Sequence, residues 1–151
     1  QYLSEALIRV PMLLKPPMPY AGSVEPSLVS SVEIAATFLT AAGLPVPPNI
    51  SPRSLTQFYG PVGERELWGE LYAEARDIRS IRDGRYKLIY YAGRDYGELY
   101  DLATDPIEKR NRWNDPSLRP ERDRLERRLL DRLISLGENA RVPWNRGAPV
   151  I

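Results

Sequence analysis

Apolar residues change their period twice along this 151-residue chain, and that change limits the fold more than any other feature. From Glu66 to Leu102 the period is two. The runs Glu66–Tyr72, Asp77–Arg82, Arg85–Tyr91 and Glu98–Leu102 each read as a short strand, and turn residues separate the last three. Asp83-Gly84 has the spacing of a two-residue hairpin and predicts a type I′ turn; Gly93 to Gly97 is another turn. From Asp115 the period becomes helical. Asp115 is a good N-cap and Pro116 suits the first helical position. Leu118, Leu125, Leu129, Leu133 and Leu136 then share one stripe, with Leu130 and Ile134 beside it. Gly137 marks the expected end of the helix, and residues 141–151 read as an irregular tail. A small antiparallel sheet of three or four strands is expected, one face wet and the other covered by the leucines. The Arg, Asp and Glu residues between the leucines read as a solvated face, with Asp123 and Arg127 spaced for an i, i+4 pair.

Upstream, Ile8 to Leu14 is almost continuously apolar. Such a run suits a strand covered on both faces, and Pro11 belongs near its end because it lacks a ladder donor. Ser30 to Ala42 reads as a helix. Ser30 and Glu33 have capping-box spacing, Gly43 supplies a left-handed stop and Pro45 follows. Apolar residues lie on two sides of it, so it is expected to be buried between layers. Pro45 to Gly63, with its five prolines, is a connector.

Composition removes several classes of function. There are 21 basic and 20 acidic residues, interleaved, which leaves no basic face for nucleic acid. Cys and His are both absent, so the chain can build no Cys/His zinc site, no Ser-His-Asp or Cys-His pair and no disulfide. No apolar run approaches the ~18 residues of a membrane span, and the first residues lack the pattern of a signal peptide.

Several strings, in their order along the chain, resemble the C-terminal part of a sulfatase of the alkaline phosphatase superfamily. They are Glu5 with Ile8-Arg9-Val10-Pro11; Val29 to Leu39 followed by Ala42-Gly43-Leu44-Pro45; and Arg53-Ser54-Leu55. Ile78-Arg79, Asp83-Gly84-Arg85-Tyr86-Lys87-Leu88, Glu98-Leu99-Tyr100-Asp101-Leu102 and Asp105-Pro106 with Glu108 and Asn111 continue the series. Glu33 replaces the family's usual Asp, Ala36 its Pro, and Pro52 a Gly; these departures bear on packing. The resemblance implies an α/β to α+β fold. Residues 1–63 would end a large α/β domain with one strand and a buried helix, residues 64–137 would form the small antiparallel sheet with its C-terminal helix, and 138–151 the tail.

The resemblance also implies a sulfuric ester hydrolase whose chemistry lies elsewhere. Sulfatases use a formylglycine made from Cys or Ser in a Cys/Ser-x-Pro-x-Arg motif and a divalent cation, usually calcium, held by oxygen ligands. That motif does not occur here, and the resemblance implies that the metal-binding acidic clusters lie upstream, so no catalytic residue, metal ligand or cofactor is assigned to this chain, and alone it is expected to be inactive. The lysine near the sulfate would fall just ahead of Gln1. That makes Glu5 and Arg9 the near-site structural candidates, with an ion pair between them as the plain reading. Glu74, Arg76 and Asp77 are candidates for the cleft rim, or a solvated loop. Tyr86, Tyr90, Tyr91, Tyr96 and Tyr100 are a carbohydrate platform or, more simply, cross-strand packing. The expected partner is the missing N-terminal catalytic part of the same protein, or a second copy covering the same apolar surface; no nucleic acid or membrane partner is expected. Two other readings stand beside this one: the tail of a phosphonate or phosphate-ester hydrolase of the same superfamily, and a free-standing, non-enzymatic interaction module.

Overall fold

Four strands pair antiparallel in the order β1-β2-β3-β4: β1 is Leu71–Ala75, β2 Ile78–Arg82, β3 Tyr86–Tyr91 and β4 Gly97–Asp101. The computed structural model describes residues 3–19, 22–48, 50–51, 53–59 and 70–139. The beginning of the predicted Glu66–Tyr72 strand, the end of the connector around Gly60 to Gly63 and the tail from 141 lie outside them. Before the sheet come α1 (Glu5–Ile8), α2 (Glu33–Ala41) and a 3-10 turn at Leu55–Tyr59; after it come a 3-10 turn at Pro116–Leu118 and α3 (Arg119–Asn139).

Period-two alternation sends Ile81, Leu88 and Leu99 to one face of the sheet, where they meet Leu125 and Leu129 of α3; all five are buried. Tyr72, Tyr86, Trp113, Leu118 and Leu133 close the margins of this core. Each buried aliphatic side chain contributes roughly 1.5–3 kcal/mol. Leu130 and Ile134 face outward instead, 57% and 53% exposed. The helix runs two residues past Gly137, ending at Asn139. Its arginines are not all a solvated face. Arg124 bonds Asp83 (2.5 Å) and Glu121 (2.8 Å), Arg128 bonds Glu70 (2.8 Å), and Arg122 lies 4.9 Å over the Trp113 ring. The expected Asp123–Arg127 pair is replaced by a bond from Arg127 Nε to the Asp123 carbonyl (3.3 Å).

The β2–β3 turn differs from the predicted type I′. Asp83 and Tyr86 face each other across it, and Gly84-Arg85 are its central residues. Asp83 Oδ1 accepts from the N–H groups of Arg85 (2.8 Å) and Tyr86 (2.7 Å), so the carboxylate closes the turn without a positive φ. β4 is an edge strand, yet all five of its residues are buried. Asn111 explains this: its Oδ1 accepts from Leu99 N–H (3.1 Å) and its Nδ2 donates to Gly97 C=O (2.9 Å), while Arg112 N–H reaches Leu99 C=O (2.8 Å). Trp113 lies so close that a Cβ on Gly97 would collide with its ring.

Upstream the sequence expectation fails in part. Residues 5–8 form a helical turn, and the stretch through Leu14 pairs with no strand among the described residues. Val10 is 65% and Leu13 98% exposed. A strand exists only through neighbours that take its backbone groups, and an apolar run cannot supply them. The α2 helix is likewise not buried between layers: Glu33, Ala36 and Thr37 are buried, but Phe38 is 72% exposed. Half of the capping box forms, Glu33 Oε2 accepting from Ser30 N–H at 2.9 Å. The C-terminal stop is a full Schellman pair, Leu44 N–H to Leu39 C=O (2.9 Å) and Gly43 N–H to Thr40 C=O (3.0 Å), with Gly43 at φ +68. The Arg53-Ser54-Leu55 element docks on this helix. Arg53 pairs with Glu33 (2.9 Å), and Leu55 N–H donates to Thr37 Oγ1 (2.8 Å).

Candidate functional site: a buried charge cluster

The second sheet face is not wet. Leu3, Ile78, Ile89 and Tyr100 form a second buried cluster there, joined by Ile8 at its margin. Lys87 points into this face and is 0% exposed. An isolated buried ammonium is costly, so it requires partners. Two are present: Glu5 Oε1 at 3.1 Å and Glu108 Oε1 at 2.8 Å. Arg82, directly across from Lys87 in the β2–β3 register, takes the other Glu5 oxygen. Glu108 Oε2 accepts from the Glu5 backbone N–H at 2.7 Å. Two acids and two bases therefore balance, and Glu5 is held at its backbone nitrogen and at both carboxylate oxygens.

Each member arrives by a different route. Arg82 and Lys87 are strand residues on the same face. Glu5 begins α1, and Glu108 follows the Asp105-Pro106 turn, where Asp105 binds the N–H groups of Lys109 (3.1 Å) and Arg110 (2.8 Å). Glu108 adopts φ +55, unusual for a residue with a side chain, and its bonds to Lys87 and Glu5 hold it there.

A second polar group lies on the same face. Glu98, 3% exposed, accepts hydroxyl bonds from Tyr91 (2.6 Å), Tyr96 (2.9 Å) and Tyr100 (2.6 Å). Burial, then the carboxylate, pushes the Tyr91 phenol far above its usual range; for Tyr96 the carboxylate acts first. Tyr91 and Tyr96 pack with centroids 4.9 Å apart. Tyr86 instead joins the α3 core and Tyr90 is 40% exposed, so the five tyrosines form no single platform.

The predicted residues separate accordingly. Glu5 belongs to the cluster. Arg9 is exposed and meets Glu5 only through its backbone N–H, at 3.0 Å from the Glu5 carbonyl, so the Glu5–Arg9 ion pair is replaced by Glu5–Arg82 and Glu5–Lys87. Glu74 is on β1, 3.3 Å from Arg79, and accepts from Tyr72 OH at 2.6 Å. Arg76, at φ +51, and Asp77 form the β1–β2 turn. That turn is at the opposite end of β2 from Arg82, so these three residues do not join Glu5. Lys87, Glu108 and Arg82 were missed as a group. Their signal was present as Lys87 on the inward phase of a strand and Glu108 behind an Asp-Pro turn, but no local pattern says that they meet.

The family whose profile matches residues 1–135 is described as N-sulphoglucosamine sulphohydrolase, C-terminal. Mouse arylsulfatase K is 31% identical over 121 residues, covering 71% of this chain and 22% of that protein. N-acetylglucosamine-6-O-sulfatase of Bacteroides thetaiotaomicron is 29% identical over 124 residues, covering 74% of this chain and 22% of the relative. Among solved structures, a protein in complex with its substrate D-glucosamine-2-N,6-O-disulfate superposes with a TM-score of 0.60 at 24% identity, over 72% of this chain and 24% of its own. A phosphonate monoester hydrolase from Silicibacter pomeroyi shares the fold, with a TM-score of 0.58 at 21% identity, over 68% of this chain and 24% of its own. The chain thus spans about a fifth of the length of the curated relatives it matches. With a matching sheet, helix and family profile over most of its length, the chain belongs to the family of C-terminal sulphohydrolase domains described for N-sulphoglucosamine sulphohydrolase.

Proposed function

We propose that this chain is the C-terminal part of an enzyme that hydrolyses sulfate esters, and that its own work is to complete the fold beside the reacting centre. The family match over residues 1–135 carries this reading. The curated relatives described above are named as sulfatases, which favours sulfate over phosphonate as the substrate. In the parent, a divalent cation and a formylglycine would supply the electrophile-activating charge and the nucleophile. The residues here do not fit either group. Among the described residues no set of three or more acidic side chains could hold a metal ion, and the sequence has no Cys, no His and no Ser-x-Pro-x-Arg. No reaction step is therefore assigned to this chain. The exposed turn residues Arg76 and Asp77, with Glu74 beside them, are candidates for substrate contacts at the rim.

The test compares the isolated chain with the chain joined to its upstream coding sequence, using p-nitrophenyl sulfate and a p-nitrophenyl phosphonate ester. The joined protein is expected to turn over the sulfate in preference, and the isolated chain neither. Sulfate turnover by the pure isolated chain, or phosphonate preference by the joined protein, would overturn the proposal.

A further inference from the structure

Strand alternation leaves one row of the sheet outside both cores. Glu74, Arg79 and Tyr90 lie on the face that carries Ile81, Leu88 and Leu99, one step nearer the β1–β2 and β3–β4 turns. Glu74 faces Arg79, Arg79 faces Tyr90 and Tyr90 faces Gly97, so the row crosses all four strands. At the usual strand spacing that is about 14 Å. The row is open to solvent, with Glu74 exposed and Tyr90 40% exposed. Trp113 closes it at β4: its ring lies against Gly97, in the space a side chain would fill, and Arg122 sits 4.9 Å from the ring centroid. The polar side chains of the row are held without being used up. Glu74 Oε2 accepts from Tyr72 OH (2.6 Å) and lies 3.3 Å from Arg79 Nε, while Arg79 Nη1 donates to the Arg76 (2.6 Å) and Ile78 (3.0 Å) carbonyls. Glu74 Oε1, Arg79 Nη2 and the Tyr90 hydroxyl have no partner among the described residues.

We infer that this row is a binding site for a neutral saccharide. A sugar ring presents neighbouring hydroxyls, each both donor and acceptor, around an apolar C–H face. A carboxylate oxygen and a guanidinium N–H fixed side by side suit two adjacent hydroxyls, one donating and the other accepting. A half-exposed phenol ring beside them suits the C–H face. The charges of Glu74 and Arg79 cancel, so the row exerts no net pull on an anion and the match is to hydroxyls. A single row is too narrow for a protein partner, whose stable interfaces bury about 800 Å² on each side. The brace from Tyr72 through Glu74 to Arg79 fixes two long side chains in advance, which lowers the ordering cost of binding. The site belongs to this chain alone, so the inference goes beyond the sulfate-ester reading and does not depend on it.

Isothermal titration calorimetry of the 151-residue chain with cellohexaose, chitohexaose and maltohexaose tests this. At least one is expected to bind. Raising salt from about 0.05 to about 0.5 M should change its Kd less than about twofold, because the ligand carries no charge. Tyr90→Ala removes the stacking face and should weaken binding about tenfold, whereas Tyr90→Phe keeps the ring and should lose no more than about threefold. Glu74→Ala, which removes the acceptor and frees Arg79, should fall between them. Both positions are exposed, so all three variants are expected to melt within a few degrees of wild type; if Tyr90→Ala melts early, Glu74→Ala decides. Leu130→Ala, on the outer side of α3, should bind like wild type. Failure of all the hexasaccharides to bind, or unchanged binding by folded Tyr90→Ala, would refute the inference. So would tighter binding of hexagalacturonate that is lost at the higher salt, since the site would then select a charge. Sulfate-ester turnover is measured separately in the joined protein, so either reading can fail without the other.

Discussion

Asp83 shows how much one side chain can organise. Its Oδ1 closes the β2–β3 turn by accepting two backbone N–H groups, and its Oδ2 takes Arg124 of α3 at 2.5 Å, so the same carboxylate joins hairpin to helix. Burial works to raise its pKa, but the N–H groups of Tyr86 and Arg85 and the Arg124 guanidinium outweigh burial and hold it below the usual carboxylate range. In the unfolded chain the group protonates near its ordinary value of about 3.9. Because the folded value is depressed, the stability it supplies is complete above about pH 4 and is lost as pH falls through the folded value. Asp83→Asn should therefore cost about 1.5–3 kcal/mol near neutrality, the range for hydrogen bonds to a charged group. Melting curves from neutral pH to about pH 3 should show the gap between variant and wild type narrowing; a gap constant with pH would exclude this account. In sequence, Asp83 was legible as a turn residue. Its tie to Arg124, 41 positions away, was not, because a charged residue on a helix reads the same whether it meets water or a distant carboxylate.

Among the elements, the pair of sheet and α3 was the most legible, since both periods are long and the leucines share one stripe. Leu125 is 0% exposed and packs against Ile81, Leu88 and Leu99, so Leu125→Ala should cost about 2–5 kcal/mol. Leu130, one residue from the stripe in sequence, should tolerate Ala within about 0.5 kcal/mol. Chemical denaturation of the two variants checks the contrast; equal losses would mean that the helix presents a different face to the sheet. The Ile8–Leu14 run was misread because composition reports what a segment can bury and not whether strands stand beside it. The wet second face was misread for the converse reason. Lys87, Glu98 and Glu108 count as surface residues until their partners are known, and Glu5 lies 82 positions from Lys87.

For the whole molecule, the apolar surface upstream is the property with the largest consequence. Leu7, Val10, Leu13, Met18, Val24, Val32, Phe38 and Leu44 are each more than half exposed. Exposed apolar groups on this scale mark a surface that meets another. The proposed occupant is the upstream part of the same protein. In its absence the isolated chain should associate through this end, so light scattering should give a mass above 17.2 kDa, falling on dilution; a monomer at all concentrations would count against it.

Such association should leave the other margin of the sheet untouched. Asn111 and Arg112 already occupy the main-chain donors and acceptors that β4 would offer to a newcomer. Growth by adding one chain's ladder to the next has no template along that border, so β4 should take no part in the association.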